Sequence, residues 1–284
     1  MTEPLCLLTV HAHPDDESSK GAGTVALARA EGIRTVLVCC TGGEEGEVLN
    51  PALDRPEVHA NLADVRRAEL EAAAAIIGYD ELVWLGYRDS GMPESEANAR
   101  PEAFWNADLD EAIGRLVEII RRERPQVIVT YHDDQAGYPH PDHLRVHDIS
   151  VPAFARAGDP TWRPDLGEPF APSKLYYTVW AKARMEATHQ AFLDNGLESP
   201  FSPEWFDRPW HDDRITTQVP IHDVWDVRGK ALLAHATQVD PTSPFWFGLP
   251  DDVARSIHPF DDYVLAESLV PTDIPERDLF AGLR

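Results

Sequence analysis

Five of the seven residues from His11 to Glu17 (His-Ala-His-Pro-Asp-Asp-Glu) are His, Asp or Glu. His13 and Asp16 stand three positions apart, and Pro14 between them favours a turn over continued extension. Such a turn can bring an imidazole nitrogen and a carboxylate oxygen onto one ion, and both are ligand types that Zn²⁺ accepts. Asp15 is left over beside them and could work next to the metal as a base. A second cluster, from Tyr131 to His147, reads Tyr-His-Asp-Asp-Gln-Ala-Gly-Tyr-Pro-His-Pro-Asp-His-Leu-Arg-Val-His. His143 could supply a third ligand, and a His-Asp-His set leaves a fourth position for water, which distinguishes catalytic from structural zinc. His140 would then stand beside the metal without binding it. An acidic helix start at Asp16-Glu17 explains neither His11 and His13 nor the second cluster, and exposed loop histidines do not explain two such clusters at two strand ends.

Each cluster follows an apolar run. Leu5 to Val10 and Val127 to Thr130 read as buried strands, and open α/β folds bind ligands just beyond the carboxyl ends of their strands. Thr35 to Cys40 and Leu82 to Leu85 read as two further strands. Helices are expected from Lys20 to Ala30, ended by Gly32, and from Asn61 to Ile77. Another is capped by Asn106 and carries Leu109, Ala112, Ile113, Leu116, Ile119 and Ile120 on one face. This alternation predicts an α/β fold with a mostly parallel sheet, helices on both faces and right-handed crossovers. Beyond Ser150 the pattern loosens, with frequent Pro and Trp from Pro160 to Pro209. Strands at Leu175–Val179, Thr216–Ile221 and Asp262–Leu265 and helices at Met185–Leu193 and Val224–Ala236 are expected there. The chain reads as one domain over 1–284, with a core over 1–175 and a C-terminal lobe over 176–284 covering the pocket.

The formal charge of −24, from 49 acidic and 25 basic residues, repels phosphate backbones and anionic lipid. Nucleic acid and membrane surfaces are therefore poor partners, and a neutral or cationic small molecule is the better substrate. Cys6, Cys39 and Cys40 form neither a disulfide framework nor a thiolate zinc site. They fall in expected strands, where free Cys behaves as a small apolar residue. The opening Met-Thr-Glu-Pro lacks the basic region of a signal peptide, and no segment approaches the length of a membrane span. The simplest expectation is a cytoplasmic enzyme; a homo-oligomer is compatible with the sequence.

Ala12-His-Pro-Asp-Asp-Glu17 and His140-Pro-Asp-His143 resemble the two motifs of the LmbE-like (PIG-L) zinc-dependent de-N-acylases. The stretches His11 to Gly23, Gly42 to Asn50, Tyr138 to His143, Ser173-Lys-Leu-Tyr-Tyr177, His235-Ala-Thr-Gln238 and Leu279-Phe-Ala-Gly282 look like that family's mycothiol S-conjugate amidase branch. The resemblance implies a Rossmann-like core and a single Zn²⁺, with Fe²⁺ as the alternative in vivo. It implies hydrolysis of the amide in mycothiol S-conjugates, giving a mercapturic acid and glucosaminyl-inositol in thiol-based detoxification. By the same resemblance His13, Asp16 and His143 are the ligands and Asp15 the general base. His140 stabilises the oxyanion or protonates the departing amine, with Asp142 orienting it. Tyr138 is a mobile oxyanion donor, and Arg66 and Asp89 hold sugar and inositol hydroxyls. Lys20 is characteristic of the amidase branch. Glu47, in the acidic loop Glu44 to Glu47, could accept sugar hydroxyls. One departure is the loop from Tyr131 to Tyr138: it is one residue longer than usual, and Gln135-Ala-Gly137 stands in place of Asn-Gly-Gly, which bears on where Tyr138 sits.

Two rivals remain within the same chemistry: a deacetylase of N-acetylglucosaminyl-inositol, and an amidase processing a mycothiol conjugate in natural-product biosynthesis. A rival of another class rests on Gly21-Ala-Gly-Thr-Val-Ala26, which fits a dinucleotide fingerprint. There the first Gly should turn the chain straight out of the strand, whereas ten residues lie between Val10 and Gly21.

Overall fold

The computed structural model describes residues 4–134 and 137–284. Its strands are β1 (Cys6–His11), β2 (Arg34–Thr41), β3 (Glu81–Tyr87), β4 (Val127–Tyr131), β5 (Lys174–Val179), β6 (Thr217–Pro220) and β7 (Phe260–Ser268). They form one sheet in the order β3-β2-β1-β4-β5-β7-β6. The first five are parallel, and β7 runs antiparallel to both β5 and β6. The expected α/β fold with a mostly parallel sheet is therefore present.

All six residues of β1 are buried, as a strand covered on both faces requires. Leu8 and Val10 pack with Val36, Val38 and Ile128 beneath the helices Leu109–Glu123 and Pro141–Ala157. Leu7, Val127 and Val129 face the opposite side, against the helix Ala22–Ala30. There the helix Leu62–Ile77 also covers Leu37 and Cys39 with Leu70 and Ala74. From β1 the chain builds outward to β3, then returns to place β4 on the other side of β1. The covering helices change face at that reversal, as right-handed crossovers demand. The carboxyl ends of β1 and β4 consequently part at a topological switch point, where a crevice opens.

Element bounds differ from expectation where two local signals compete. The helix expected from Lys20 to Ala30 spans Ala22–Ala30, and a separate short helix, Asp16–Ser19, precedes it. Gly21, at φ 103°, separates the two. The cap expected at Asn106 lies at Asp108, whose Oδ1 accepts from the Glu111 N–H at 2.9 Å. Asn106 ends a short 3₁₀ turn and donates to the Asn98 and Arg100 carbonyls. The dinucleotide fingerprint has no room for a phosphate. The Asp261 carboxylate already accepts from Thr24 N at 2.9 Å, and the faces of Gly21 and Gly23 are filled by Tyr263 and Ile221.

Cys6, Cys39 and Cys40 are free and buried, and burial pushes the Cys6 thiol up to about 12, which makes it inert. Past residue 175 the chain adds β6 and β7 to the same sheet. Buried Glu276 accepts from Lys174 Nζ, from the Tyr176 hydroxyl at 2.7 Å and from Thr217 at 3.1 Å. Lys174 Nζ also reaches the Ala281 carbonyl at 3.2 Å. The Ser173–Tyr177 and Leu279–Gly282 stretches thus tie the last residues to the sheet. Among the described residues no helix is long and apolar enough to cross a membrane.

Candidate metal centre

The turn after β1 and the start of the Pro141–Ala157 helix bring His13, Asp16 and His143 together, with their ligand atoms all within 4.8 Å of one another. His13 Nδ1 lies 3.4 Å from Asp16 Oδ2, and His143 Nε2 lies 3.5 Å from that same oxygen. Ligand atoms held at zinc distances on a tetrahedral ion stand roughly 3.3–3.4 Å apart, so the donors fit a single small cation. Their outer atoms are also engaged. His13 Nε2 donates to Asp142 Oδ2 at 3.1 Å, so Nδ1 is the nitrogen that would be offered to a metal. Asp16 Oδ1 accepts from Lys20 Nζ. Tyr131 stacks on the His143 ring at 4.5 Å and 8°. A second group, His13, Asp89 and His140, falls within the same span, but it approaches His13 through Nε2, 3.5 Å from Asp89 Oδ1, the nitrogen that Asp142 already holds.

Electrostatics agree with this division. Burial opposes the charge on Asp16, but Lys20 and His143 hold its carboxyl well below the usual range. Burial pushes the Asp15 carboxyl up, with Arg66 pulling against it; a carboxylate raised in this way suits a general base. Burial, with His13 and His143 nearby, lowers His140 to about 3. Its Nδ1 accepts the Asp142 backbone N–H at 3.2 Å, so the neutral ring carries its proton on Nε2.

Asp15 sits at φ 107°, a left-handed conformation that costs a non-glycine residue on the order of 1–2 kcal/mol. Its surroundings hold it there. Its backbone N–H donates to Glu17 Oε2 at 3.0 Å. Glu17 in turn meets His235 Nε2 at 2.7 Å, with both side chains fully buried. Arg66 donates to the Pro14 and Gly43 carbonyls at 2.6 Å each and to Asp15 Oδ2 at 3.0 Å. Thr237, two residues past His235, is fastened to Glu69 through N–H and hydroxyl at 2.8 and 2.7 Å.

A cavity of about 820 Å³ opens over this floor. His13, Asp15, Asp16, Lys20, Glu47, Arg66, Asp89, Tyr138, His140 and His143 all line it. Asp142 lies behind the wall, fully buried, and its carboxylate takes Ser90 N at 3.0 Å as well as His13. It therefore orients His13 through its carboxylate and meets His140 only through its backbone. Arg66 turns its guanidinium toward protein acceptors, so its nearest role is to place Asp15. Asp89 accepts from Gly91 N at 2.8 Å and Glu45 N at 3.3 Å. Tyr138 is 53% exposed at the rim, its ring 5.3 Å from that of His143. Glu47 lines the cavity and is exposed, whereas Glu44 and Glu45 are engaged by Asp89 N and by Arg88 and Arg100. Of the departing loop, Gln135 and Ala136 lie outside the described residues.

Sequence reasoning did not find Glu17 and His235 as a pair, Ser90, or an aromatic wall of Trp180, Trp205, Trp210, Phe245 and Trp246. The His235–Gln238 stretch was the one available signal for the first. Removing His235 leaves the buried Glu17 carboxylate without its imidazole partner and loosens the group that accepts from Asp15 N. His235→Ala, and the gentler His235→Gln, are expected to retain metal and to lower kcat about 10–100-fold, the usual range for a supporting residue of a metal site. Titrating metal into each variant and measuring kcat at saturation checks this; an unchanged kcat would show that the pair does not hold the base.

The PIG-L family model, described as GlcNAc-PI de-N-acetylase, matches residues 8–154. A mycothiol S-conjugate amidase from Streptomyces coelicolor is 46% identical over an alignment covering 100% of this chain and 99% of that protein. A 1D-myo-inositol 2-acetamido-2-deoxy-alpha-D-glucopyranoside deacetylase from Geodermatophilus obscurus is 40% identical over the same shares. Among solved structures, GalB, the 4-carboxy-2-hydroxymuconate hydratase of Pseudomonas putida KT2440, matches with a TM-score of 0.62 at 20% identity, covering 95% of this chain and 99% of that one. That likeness speaks for the fold alone, since one fold hosts many reactions. With its metal-ligand group at the carboxyl ends of β1 and β4 and a family match running through both, the chain belongs to the PIG-L family.

Proposed function

We propose that the protein is a Zn²⁺-dependent amidase that hydrolyses mycothiol S-conjugates to a mercapturic acid and glucosaminyl-inositol. The observation that carries this reading is the composition of the cavity of about 820 Å³: the metal-ligand group lines it together with four Trp and Phe245. An acetyl group would leave that apolar wall in water, whereas an S-substituted cysteinyl arm would cover it. The amidase at 46% identity supports the larger substrate, and the deacetylase at 40% supports the same amide chemistry with a smaller acyl group.

His13, Asp16 and His143 would hold the zinc. Bound there, Zn²⁺ would supply Lewis acidity toward the amide carbonyl and bring the pKa of a water down to near neutrality. Asp15, pinned by Glu17 and Arg66, takes a proton from the attacking water. The Nε2–H of His140 and the Tyr138 hydroxyl face the oxygen on which negative charge develops. Once protonated, Asp15 or His140 delivers a proton to the departing amine. Asp89 and Glu47 offer carboxylates to sugar and inositol hydroxyls, and the aromatic wall receives the S-substituent.

Lys20 acts first through Asp16. Lys20→Ala is expected to raise the metal dissociation constant about 10–100-fold, as loss of a group that orients a ligand does. Competition with a chelator measures it, and an unchanged constant would show that Asp16 holds its place unaided. For the activity itself, the test is primary-amine release from a mycothiol S-conjugate by zinc-reconstituted protein, with the mercapturic acid identified by mass. Chelation should abolish the signal; intact conjugate after prolonged incubation would overturn the reading.

A further inference from the structure

A second cavity, of about 310 Å³, lies beside the first and shares Trp180, Leu232, Phe245 and Trp246 with it. Its wall is largely apolar, yet Arg184 and Arg228 both line it. Arg228 is accounted for in part: its Nη2 is paired with Asp261, while its buried Nε has no partner. The Arg184 guanidinium makes no hydrogen bond or ion pair among the described residues and stands 6.0 Å over the Trp180 ring.

The neighbouring carboxylates are committed elsewhere. Asp261 also accepts from Thr24 N and Oγ1 at 2.9 and 3.0 Å. Asp262 is taken by His258 at 2.7 Å and by Gln218 at 2.9 Å. Asp251, on the rim, is largely exposed and 4.0 Å from Arg255. Burial, with Arg228 nearby, pulls the Arg184 guanidinium down to about 9. An unpaired cation in apolar surroundings is costly, and a chain with a net charge of −24 has no shortage of acids to pair it.

We propose that this cavity is a binding site for a small monocarboxylate with an apolar body. A planar carboxylate matches the guanidinium fork of Arg184, and the rings of Trp180, Phe245 and Trp246 enclose the apolar part. Asp251, Asp261 and Asp262 disfavour a second negative charge. An occupant here and a substrate in the larger cavity press on the same three rings. The site stands apart from the amide-cleaving reading, because Arg184 is remote from the metal-ligand group in role and lines only the second cavity.

Phenylacetate and its neutral analogue phenylacetamide test it, with tryptophan fluorescence and the melting temperature of metal-loaded protein as readouts. Phenylacetate is expected to change the fluorescence saturably and raise Tm, with phenylacetamide and inorganic phosphate each at least 10-fold weaker. Arg184→Gln should weaken phenylacetate at least 10-fold and leave basal amide hydrolysis unchanged. Without ligand, Arg184→Gln should melt at or above the wild-type temperature, since it removes an unpaired charge. Equal binding of acid and amide, undiminished binding by Arg184→Gln, or a lowered Tm of the ligand-free variant would each overturn the proposal. The Tm comparison reads out whether Arg184 is only a structural residue, and Arg184→Lys, which keeps the charge, should retain part of the binding.

Discussion

His143→Ala is expected to fold and to purify without its metal. The residue sits in the first turn of the Pro141–Ala157 helix, and the helix keeps its Pro at the first position and its buried face of Val146, Ile149 and Ala153. What disappears is one of three donors. His13 and Asp16 remain, 3.4 Å apart and each held by its own outer partner, but two donors make a weak site for an ion that takes at least three from the protein. Making hydroxide available near neutral pH through a metal is worth roughly 12 kcal/mol, so activity should fall to background. Elemental analysis beside an amine-release assay measures both effects. Full metal occupancy in the variant would remove His143 from the ligand set and reopen the case for His140 and Asp89.

Asp15→Asn separates chemistry from metal binding. Asn tolerates the left-handed backbone at this position nearly as well as Asp, and its side-chain oxygen can still accept from Arg66. The turn and the metal should therefore survive, while the proton acceptor is gone. A loss of about 10²–10⁴ in kcat is expected with metal content unchanged. Near-native turnover in metal-replete protein would end the assignment of Asp15 as base and shift attention to His140.

How much of this was legible in the sequence follows from how far apart the partners lie. Metal ligation packs unusual residue types into short stretches at strand ends, so the turn after β1 and the loop after β4 declare themselves. The parallel sheet was equally readable, because β1, β2 and β4 are buried on both faces and their runs are continuously apolar. Support for the ligands is another matter. Glu17 reads as an ordinary acidic helix start, and its partner His235 lies 218 residues away. The family resemblance has Asp142 orienting the His140 ring, yet its carboxylate meets His13 from 129 positions away. Arg66, expected on the substrate, donates instead to the Pro14 and Gly43 carbonyls, which the turns after β1 and β2 present to it. The aromatic wall follows no period. Trp180 to Trp246 come from several short helices and connections, so composition alone hinted at them. The cap at Asp108 rather than Asn106 is a competition between two capable residues that only the 3₁₀ turn Phe104–Asn106 decides.

The most direct measurement is kcat/KM of the zinc-reconstituted protein for two substrates under one set of conditions: a mycothiol S-conjugate with an aromatic S-substituent, and N-acetylglucosaminyl-inositol. Covering even a fraction of the aromatic wall should favour the transition state for the larger substrate by at least 1.4 kcal/mol, about tenfold. The account predicts that preference, together with its loss when the metal is chelated. Equal or faster cleavage of N-acetylglucosaminyl-inositol would contradict it and make the protein a deacetylase.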